Sequence, residues 1–578
     1  MTISRRAALQ TAFLGGAAAC ASKPTRTPFS ASVDDADAVF AYGVASGDPA
    51  ARSVVLWTAL SLAAVSRPVG ADDIDVACFV GARPDLADAK LVARLTTNAA
   101  RGYTVKHVAE GLDPGATYYY RFDALGARSP VGRTRTLPEG GVDQARFAVV
   151  SCSNYPFGYF NVYDQIARTD DLNAVVHLGD YLYEYGGDGY GGEAGARLGR
   201  AHEPAREILT LEDYRLRHAQ YKSDPSSRAM HARHPLISIW DDHETANNSW
   251  TDGAQNHDPA TEGDWDARRR AALQAYYEWM PVREPIEGRP REALFRKYAF
   301  GDLLTMTAIE TRLMARSRQF EYSDIVPNLK TPEDIANFRD VVLWDQAREM
   351  LGAAQLDYLD RSFREASAAG QPWRLIANLV IMAEVIAPDL SPHVTEEQIV
   401  ELEKQWDEVR AFIEFSKLGL PQNLDAWDGY PAARDRLYRK LQDTAAEGVI
   451  VLTGDTPTWW ANDLARRDGA PVGVELGVSS VTSPSPFREE FLGGKGAEYA
   501  LLTNRENKAI RFLSGQDHGH IELTVGREEA EARYLAVDAI ESPSYNAYER
   551  AAFTIKKSDG VATFGGARGL GFKERFLF

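Results

Sequence analysis

Four short apolar runs in this chain each end on a residue able to bind a metal ion: FAVVS before Cys152, AVVHLG before Asp180, LISIW before Asp241 and Asp242, and VIVLTG before Asp455. Such runs read as buried strands of a layered α/β domain. In open α/β sheets ligands bind in the crevice beyond the carboxyl ends of the strands, so dispersed positions converge there on one site. No other feature of the chain constrains the fold as tightly.

The donor types point to a polarising metal. In GDYLYEYG, Asp180 stands at the strand end and Tyr183 follows three residues later, close enough for carboxylate and phenol to meet one ion. A carboxylate can bridge two ions, and thiolate and phenolate from Cys152 and Tyr183 suit ferric iron, whereas magnesium and calcium prefer oxygen donors. Alone, Cys152 would read as a buried structural thiol. In IWDDHETANN, Asp242 is an oxygen ligand candidate, with Asp241, His243 and Glu244 as partners. His243 is the candidate to shuttle a proton or orient a ligand; its bland reading is a satisfied histidine.

The net charge of -18 leaves no basic surplus for neutralising a phosphate backbone, so general binding to nucleic acid is not expected. An anionic substrate then needs local positive charge, which bound cations supply. Three cysteines in 578 residues exclude a disulfide scaffold. Cys78, in DIDVACFV, reads as a strand thiol without function.

Residues 1–24 combine a basic pair, a Gly/Ala-rich stretch and small residues at a cleavage position, and read as an export signal. Ser4-Arg5-Arg6 with Leu9 resembles a twin-arginine signal, although Ala8 holds the usual phenylalanine position. Ala17-Ala18-Ala19-Cys20 resembles a weak lipobox, which would anchor the chain through Cys20; plain cleavage nearby is the simpler reading. No later run reaches the roughly 20 apolar residues of a membrane span. The mature chain is therefore expected in the periplasm or secreted, as a soluble or lipid-anchored protein.

Short alternating runs separated by Gly, Pro and Asp between residues 38 and 140 predict a small all-β domain. GLDPGATYYYRF resembles the turn and strand of a fibronectin-III-like sandwich, in which a tyrosine bonds back to the turn. After LPEGGVDQ the pattern changes to strands alternating with helices, predicting an α/β domain over residues 145–540. Helices are expected at 211–221, 265–280 and 396–417, the last opened by a Thr395/Gln398 capping box. The Gly-rich stretch 186–192 reads as a mobile loop, since no Lys-Ser/Thr follows to make a phosphate cradle. Residues 541–578 form a basic, aromatic tail without an assigned role.

In order, GVASGDP with SVVLWT, SCSN, GDYLYEYG, YRLRHAQYKSDP, IWDDHETANN, DAWDGYP and LTGDTPTWWAND resemble the PhoD family of alkaline phosphatases. The resemblance implies a metallophosphoesterase domain behind a fibronectin-like one, with iron and calcium as cofactors. Carried over by motif, Cys152, Asp180 and Tyr183 match iron ligands, with Asp180 bridging, and Asp242 and Asp455 match the calcium side. Asp180 and His243 become the catalytic candidates, and Asn154 and Arg312 the substrate contacts, Arg312 being equally readable as one arm of a buried ion pair. Two positions depart from the family pattern. Glu310 replaces an aspartate before Thr311-Arg312, and Pro457 stands where Gly-Asp-x-His would place an iron-binding histidine. Proline has no side-chain donor and no N–H, so iron affinity should fall, unless His518 or His520 in DHGHIEL reaches in.

The expected reaction is hydrolysis of phosphate monoesters or diesters by metal-activated water, without a serine nucleophile. The alternatives are a phospholipase-D-like phosphodiesterase and, because of Pro457, a catalytically impaired protein that binds phosphate esters.

Overall fold

The computed structural model describes residues 38–61, 73–403, 409–488 and 494–570. The stretch read as an export signal, with Cys20, lies outside them. Two mixed sheets face each other across the main core. One runs, edge to edge, through Val561–Arg568, Ala547–Ser558, Glu529–Val537, His518–Gly526, Gln144–Val150, Ala174–Leu178, Pro235–Ile239, Val44–Gly47, Ser53–Ala59 and Thr104–Glu110. The other runs through Arg296–Phe300, Leu304–Ala308, Trp373–Ala377, Val449–Thr453, Pro471–Gly477, Trp459–Ala465 and Ile510–Ser514. Their inner faces meet in aromatic pairs such as Phe147 with Phe300 at 4.9 Å and Trp459 with Tyr534 at 5.1 Å. All of these rings are buried, so truncating one to alanine would cost about 3–5 kcal/mol.

Helices cover the outer faces, and local sequence sets their ends. Leu211–Ser223 begins at a capping box, Thr210 and Asp213 exchanging side-chain and backbone bonds. Trp265–Trp279 starts where Asp264 accepts from Ala267 N–H. The helix expected over 396–417 occurs as Glu396–Glu403 and Val409–Ser416, with its Thr395/Gln398 box formed. Among the described residues no helix is long and apolar enough to cross a membrane.

The N-terminal region is all-β, but half of it is not a separate sheet. Lys90–Thr97, Ile74–Gly81 and Thr117–Ala124, with two short strands, pack over a core of Phe40, Val54, Leu56, Cys78, Tyr120 and Phe122. The opposing strands belong to the ten-stranded sheet, where Ser46 pairs with Pro235 in parallel. Pairing over that distance along the chain leaves no local trace. Tyr118 does bond back to its turn, accepting from Asp113 N–H at 2.9 Å. Cys78 is a buried thiol, pushed up to about 12 by desolvation. The stretch beyond 541, given no role from sequence, supplies the edge hairpin Ala547–Ser558 and Val561–Arg568, turned by Asp559 and Gly560 at positive φ.

The parallel strands bring their carboxyl ends together. Gln144–Val150, Ala174–Leu178 and Pro235–Ile239 run parallel in one sheet, and Leu304–Ala308, Trp373–Ala377 and Val449–Thr453 in the other. Cys152, Asp180, Asp241, Asp242, Glu310 and Asp455 all follow these ends within a few residues.

Candidate metal centre

The strand ends turn sharply to direct their side chains into the crevice. Cys152, Asp180 and Asp455 have φ of 58°, 55° and 58°, a left-handed backbone costing a non-glycine residue about 1 kcal/mol or more. Three such residues at one site are a concentration of strain in the place where function tolerates it. Glycines precede two of them because the strand ends crowd. A Cβ on Gly179 would fall 2.4 Å from Asp241 Cβ, and one on Gly454 2.8 Å from Ser151 Cβ.

Cys152, Asp180, Tyr183, Asp242, His243 and Asp455, named from sequence, come together and are all buried. Cys152 Sγ donates to Asp180 Oδ2 at 3.3 Å, and Tyr183 Oη donates to the same oxygen at 3.1 Å. Asp180 Oδ1 is buried without a hydrogen-bond partner. Donor atoms of Asp180, Asp242 and His243 lie within 4.8 Å of one another, as do those of Asp241, Asp242 and Asp455. Asn154, two residues past Cys152, is fully buried with neither amide atom bonded. A buried polar group left so usually awaits a partner.

Electrostatics divide the site. Arg312, with no exposure, grips Asp241 through Nε at 2.5 Å, Asp425 through Nη1 at 2.7 Å and Asp455 through Nη2 at 2.9 Å. Arg316 adds a second guanidinium on Asp425 at 2.5 Å. Arg312 is thus an ion-pair hub in this structure, one of the two roles read for it from sequence. Around Asp180 no Arg or Lys side chain is found among the described contacts, and the nearby base is the imidazole of His243. Burial, then Asp242 and Asp241, push its carboxyl well above the usual range. Burial and Asp180 likewise push the Cys152 thiol up. Burial holds Asp241 up at about 7 against Arg312, and Glu244 at about 7 although it accepts backbone N–H from Asp180, Tyr181 and Asp241. Carboxylates packed this way ionise together only beside an added cation.

Several participants were not assigned from sequence. Glu184 is fully buried and accepts from His243 Nδ1 at 2.7 Å, Asn247 N–H at 2.8 Å and Asn256 Nδ2 at 2.8 Å. A carboxylate here requires the hydrogen on Nδ1, which fixes the tautomer of His243. The imidazole stacks on Tyr183 with centroids 4.1 Å apart. Ser483 Oγ donates to Tyr183 Oη at 2.7 Å. Glu184 follows Asp180 at i+4 in GDYLYEYG, and Arg316 follows Arg312 at i+4; nothing local marks Asp425 or Ser483.

Of the histidines offered as substitutes for position 457, His518 is engaged elsewhere, and neither joins the donor groups found among the described residues. His518 bonds Ser480 Oγ through Nδ1 at 2.8 Å, and its Nε2 lies 3.1 Å from Arg488 Nη1. His520 is fully buried with neither nitrogen bonded, on the strand His518–Gly526, and burial holds it down at about 3. The 186–192 stretch is packed rather than loose: Gly187 N–H donates to Ala205 O at 2.7 Å and Gly192 N–H to Gly189 O at 2.9 Å.

Comparison with known proteins meets this geometry from another direction. Residues 147–534 match the family model described as PhoD-like phosphatase, and residues 24–138 the one described as its N-terminal domain. The chain is 32% identical to alkaline phosphatase D of Bacillus subtilis (strain 168) over 534 residues, 90% of this chain and 81% of that protein. A solved structure of PhoD superposes with a TM-score of 0.72 at 28% identity, covering 93% of this chain and 96% of that one. The purple acid phosphatase PPD1 from yellow lupin (Lupinus luteus) seeds shares the fold, with a TM-score of 0.52 at 12% identity over 89% of this chain and 74% of that one.

Proposed function

This chain belongs to the PhoD-like phosphatase family, and we propose that it hydrolyses phosphate monoesters or diesters with water at a metal centre held by Cys152, Asp180, Tyr183, Asp242 and Asp455. One observation carries the metal: Asp180, Asp241, Asp242, Glu244 and Asp455 share a buried site whose guanidinium groups reach only one side. The residues fit a cation. The unbonded Asp180 Oδ1 is a donor without a partner, and thiol, phenol and carboxylate together suit iron, while the all-carboxylate set suits calcium. When bound, such cations supply Lewis-acid polarisation of a phosphoryl oxygen and a more acidic water.

The chain's own residues do the rest. Asn154 offers its unbonded amide to a phosphoryl oxygen. Arg312 fixes Asp241, Asp425 and Asp455 in place and leaves Asp180 facing the crevice. As the water oxygen bonds phosphorus and the ester P–O bond breaks, the leaving oxygen needs a proton. His243, with Nδ1–H committed to Glu184, can take a proton of the attacking water on its other nitrogen and pass it to the leaving oxygen, so the proton the water loses is the one the alcohol gains. The fibronectin-like reading of residues 38–140 rests on the Tyr118 back-bond. Ser4-Arg5-Arg6 and the small residues before Cys20 support twin-arginine export to the periplasm or beyond, testable by cell fractionation with Arg5 and Arg6 changed to lysine.

The test is turnover of a monoester and a diester by the exported protein, with its iron and calcium content measured, before and after chelation. Turnover lost on chelation and restored by those ions is expected; turnover indifferent to metal refutes the reading. A second reading, an impaired phosphate-ester binder, is favoured by Pro457, which offers the centre no donor. Binding of phosphate with negligible turnover would select it.

A further inference from the structure

Behind the imidazole, hydrogen bonds continue outward to a buried guanidinium. Glu184 meets His243 Nδ1 through Oε2 and accepts through Oε1 from Asn247 N–H and Asn256 Nδ2. Asn256 Nδ2 also donates to Glu207 Oε1, at 3.1 Å. Arg268 Nη2 donates to that same Glu207 oxygen at 2.7 Å. One amide therefore spans two carboxylates, the outer of which is held by Arg268. The guanidinium is itself buried and locked: Nη1 donates to Asn256 O and to Glu262 Oε2, both at 3.1 Å, and Nε donates to Tyr214 Oη at 3.2 Å. Tyr214 Oη donates in turn to Thr245 O at 2.6 Å, two residues past His243. Arg268 and Tyr214 stand near the starts of the capped helices Trp265–Trp279 and Leu211–Ser223. Two helix starts set by local sequence thus reach the surroundings of one imidazole by two routes.

We propose that Asn256 is a positioning residue for the proton step at His243, anchored in that role by Arg268 through Glu207. This rests on the phosphoesterase reading above. A carboxylate orients an imidazole only while the carboxylate itself cannot turn. Of the two bonds to Glu184 Oε1, one comes from backbone that the fold fixes, and the other from a side chain that has several rotamers unless its far side is held. Arg268 holds it, through Glu207 and through the Asn256 carbonyl. Removing the amide would leave Glu184 and Glu207 as like charges with no shared donor, an arrangement that favours rotation of Glu184 away from its present place. Asn256 acts through Glu184 and His243, so its loss falls on the passage of the proton. That passage matters most when the leaving oxygen is a poor one and least when the departing anion is stable without a proton.

Two measurements on the purified protein, as exported, test this. Kinetics of the metal-loaded protein compare ethyl phosphate, whose alkoxide needs a proton to leave, with para-nitrophenyl phosphate, whose phenolate does not. N256A should lower kcat for the ethyl ester about tenfold more than for the nitrophenyl ester, with KM moved less than about twofold, a share of the roughly 100-fold or more that positioned proton transfer contributes. E207A should shift the ratio of the two esters in the same direction but less, and E207Q, which keeps an oxygen to accept from Asn256, should restore it. The second measurement reads the tautomer of His243 by long-range nitrogen–proton NMR at alkaline pH, on chelated protein with isotope-labelled histidine and with H243N to assign the signal. Nδ1–H is expected in the parent and in E207Q, and a mixture with Nε2–H in N256A. Equal loss on both esters with the tautomer kept, as a merely structural contact would give, overturns the inference, as does an unchanged ester ratio in N256A or a parent carrying its hydrogen on Nε2. A tautomer mixture in N256A while the parent turns over neither ester leaves the positioning standing and removes the hydrolytic reading. Should N256A not fold, E207A against E207Q carries the same comparison through both measurements.

Discussion

The two halves of the centre solve one problem differently. On one side Arg312 is covalently part of the chain and neutralises Asp241, Asp425 and Asp455 from within, with Arg316 behind it. On the other, Cys152, Asp180 and Tyr183 share hydrogen bonds around one carboxylate oxygen and leave the second unbonded. The first half carries guanidinium charge of its own, although burial still holds Asp241 and Asp455 up, whereas the second has no Arg or Lys among its described contacts and relies on an added cation. A residue deleted from the first should therefore register as stability, and one deleted from the second as metal and turnover.

The largest effect should come from R312A. Removing one partner of a buried ion-pair hub leaves uncompensated carboxylates, at about 3–5 kcal/mol, readable in urea unfolding. Calcium should recover part of that loss, because an added cation can replace the missing guanidinium. A cost under about 1 kcal/mol would mean that the hub is not balanced by Arg312.

D180N should behave oppositely. In chelated protein its stability should match or exceed the parent's, since burial and neighbouring carboxylates already oppose the Asp180 charge. Iron content should fall, and turnover with it by about 100-fold, on the order of what disturbing the surroundings of a metal costs. If D180N destabilises chelated protein as R312A does, the division between the halves fails.

pH sharpens the comparison further. Asp241 and Glu244, raised to about 7, keep in the folded state protons that the unfolded chain releases near pH 4. Their contribution is full below pH 4 and is lost as pH rises through 7. Buried His177, His234, His518 and His520, held down at about 3, act in the other sense: their contribution is full above pH 6.5 and is lost as pH falls toward 3. Histidines remote from the centre weigh equally on loaded and chelated protein, so the difference between the two isolates the carboxylates. That difference should widen by several kcal/mol from pH 4 to pH 7, measured by thermal unfolding with and without metal.

The exogenous-cation half is the more legible in sequence, for a physical reason. Two of its donors stand directly at the ends of apolar runs, so the strand pattern alone locates Cys152 and Asp180. The internal-cation half depends on Asp425, 113 residues from Arg312 and on no strand end. Glu184 is within reach, since i+4 from Asp180 in GDYLYEYG is a short step, but its bond to His243 spans 59 residues. The same contrast holds for the fold. The final hairpin carries a local mark, Asp559-Gly560 between two alternating runs, whereas the pairing of Ser46 with Pro235 leaves no local pattern.

The smallest expected change is the most specific to this chain. Pro457 is buried beside Asp455, and the Gly454 carbonyl accepts from Thr456 N–H at 2.7 Å, so the backbone there is already a tight turn. By the family pattern a histidine at this position would add a nitrogen donor, besides that of His243, to the thiol, phenol and carboxylate. P457H should therefore raise iron retention during dialysis against chelator by about tenfold, the lower end of what one interaction around a metal is worth. Raised retention with raised turnover would identify Pro457 as the weak point of an active phosphatase. Raised retention without turnover would place the defect elsewhere in the centre. No gain in retention from a variant of parental stability would show that the half lacking an internal cation already has all the donors it needs, and that position 457 lies outside it.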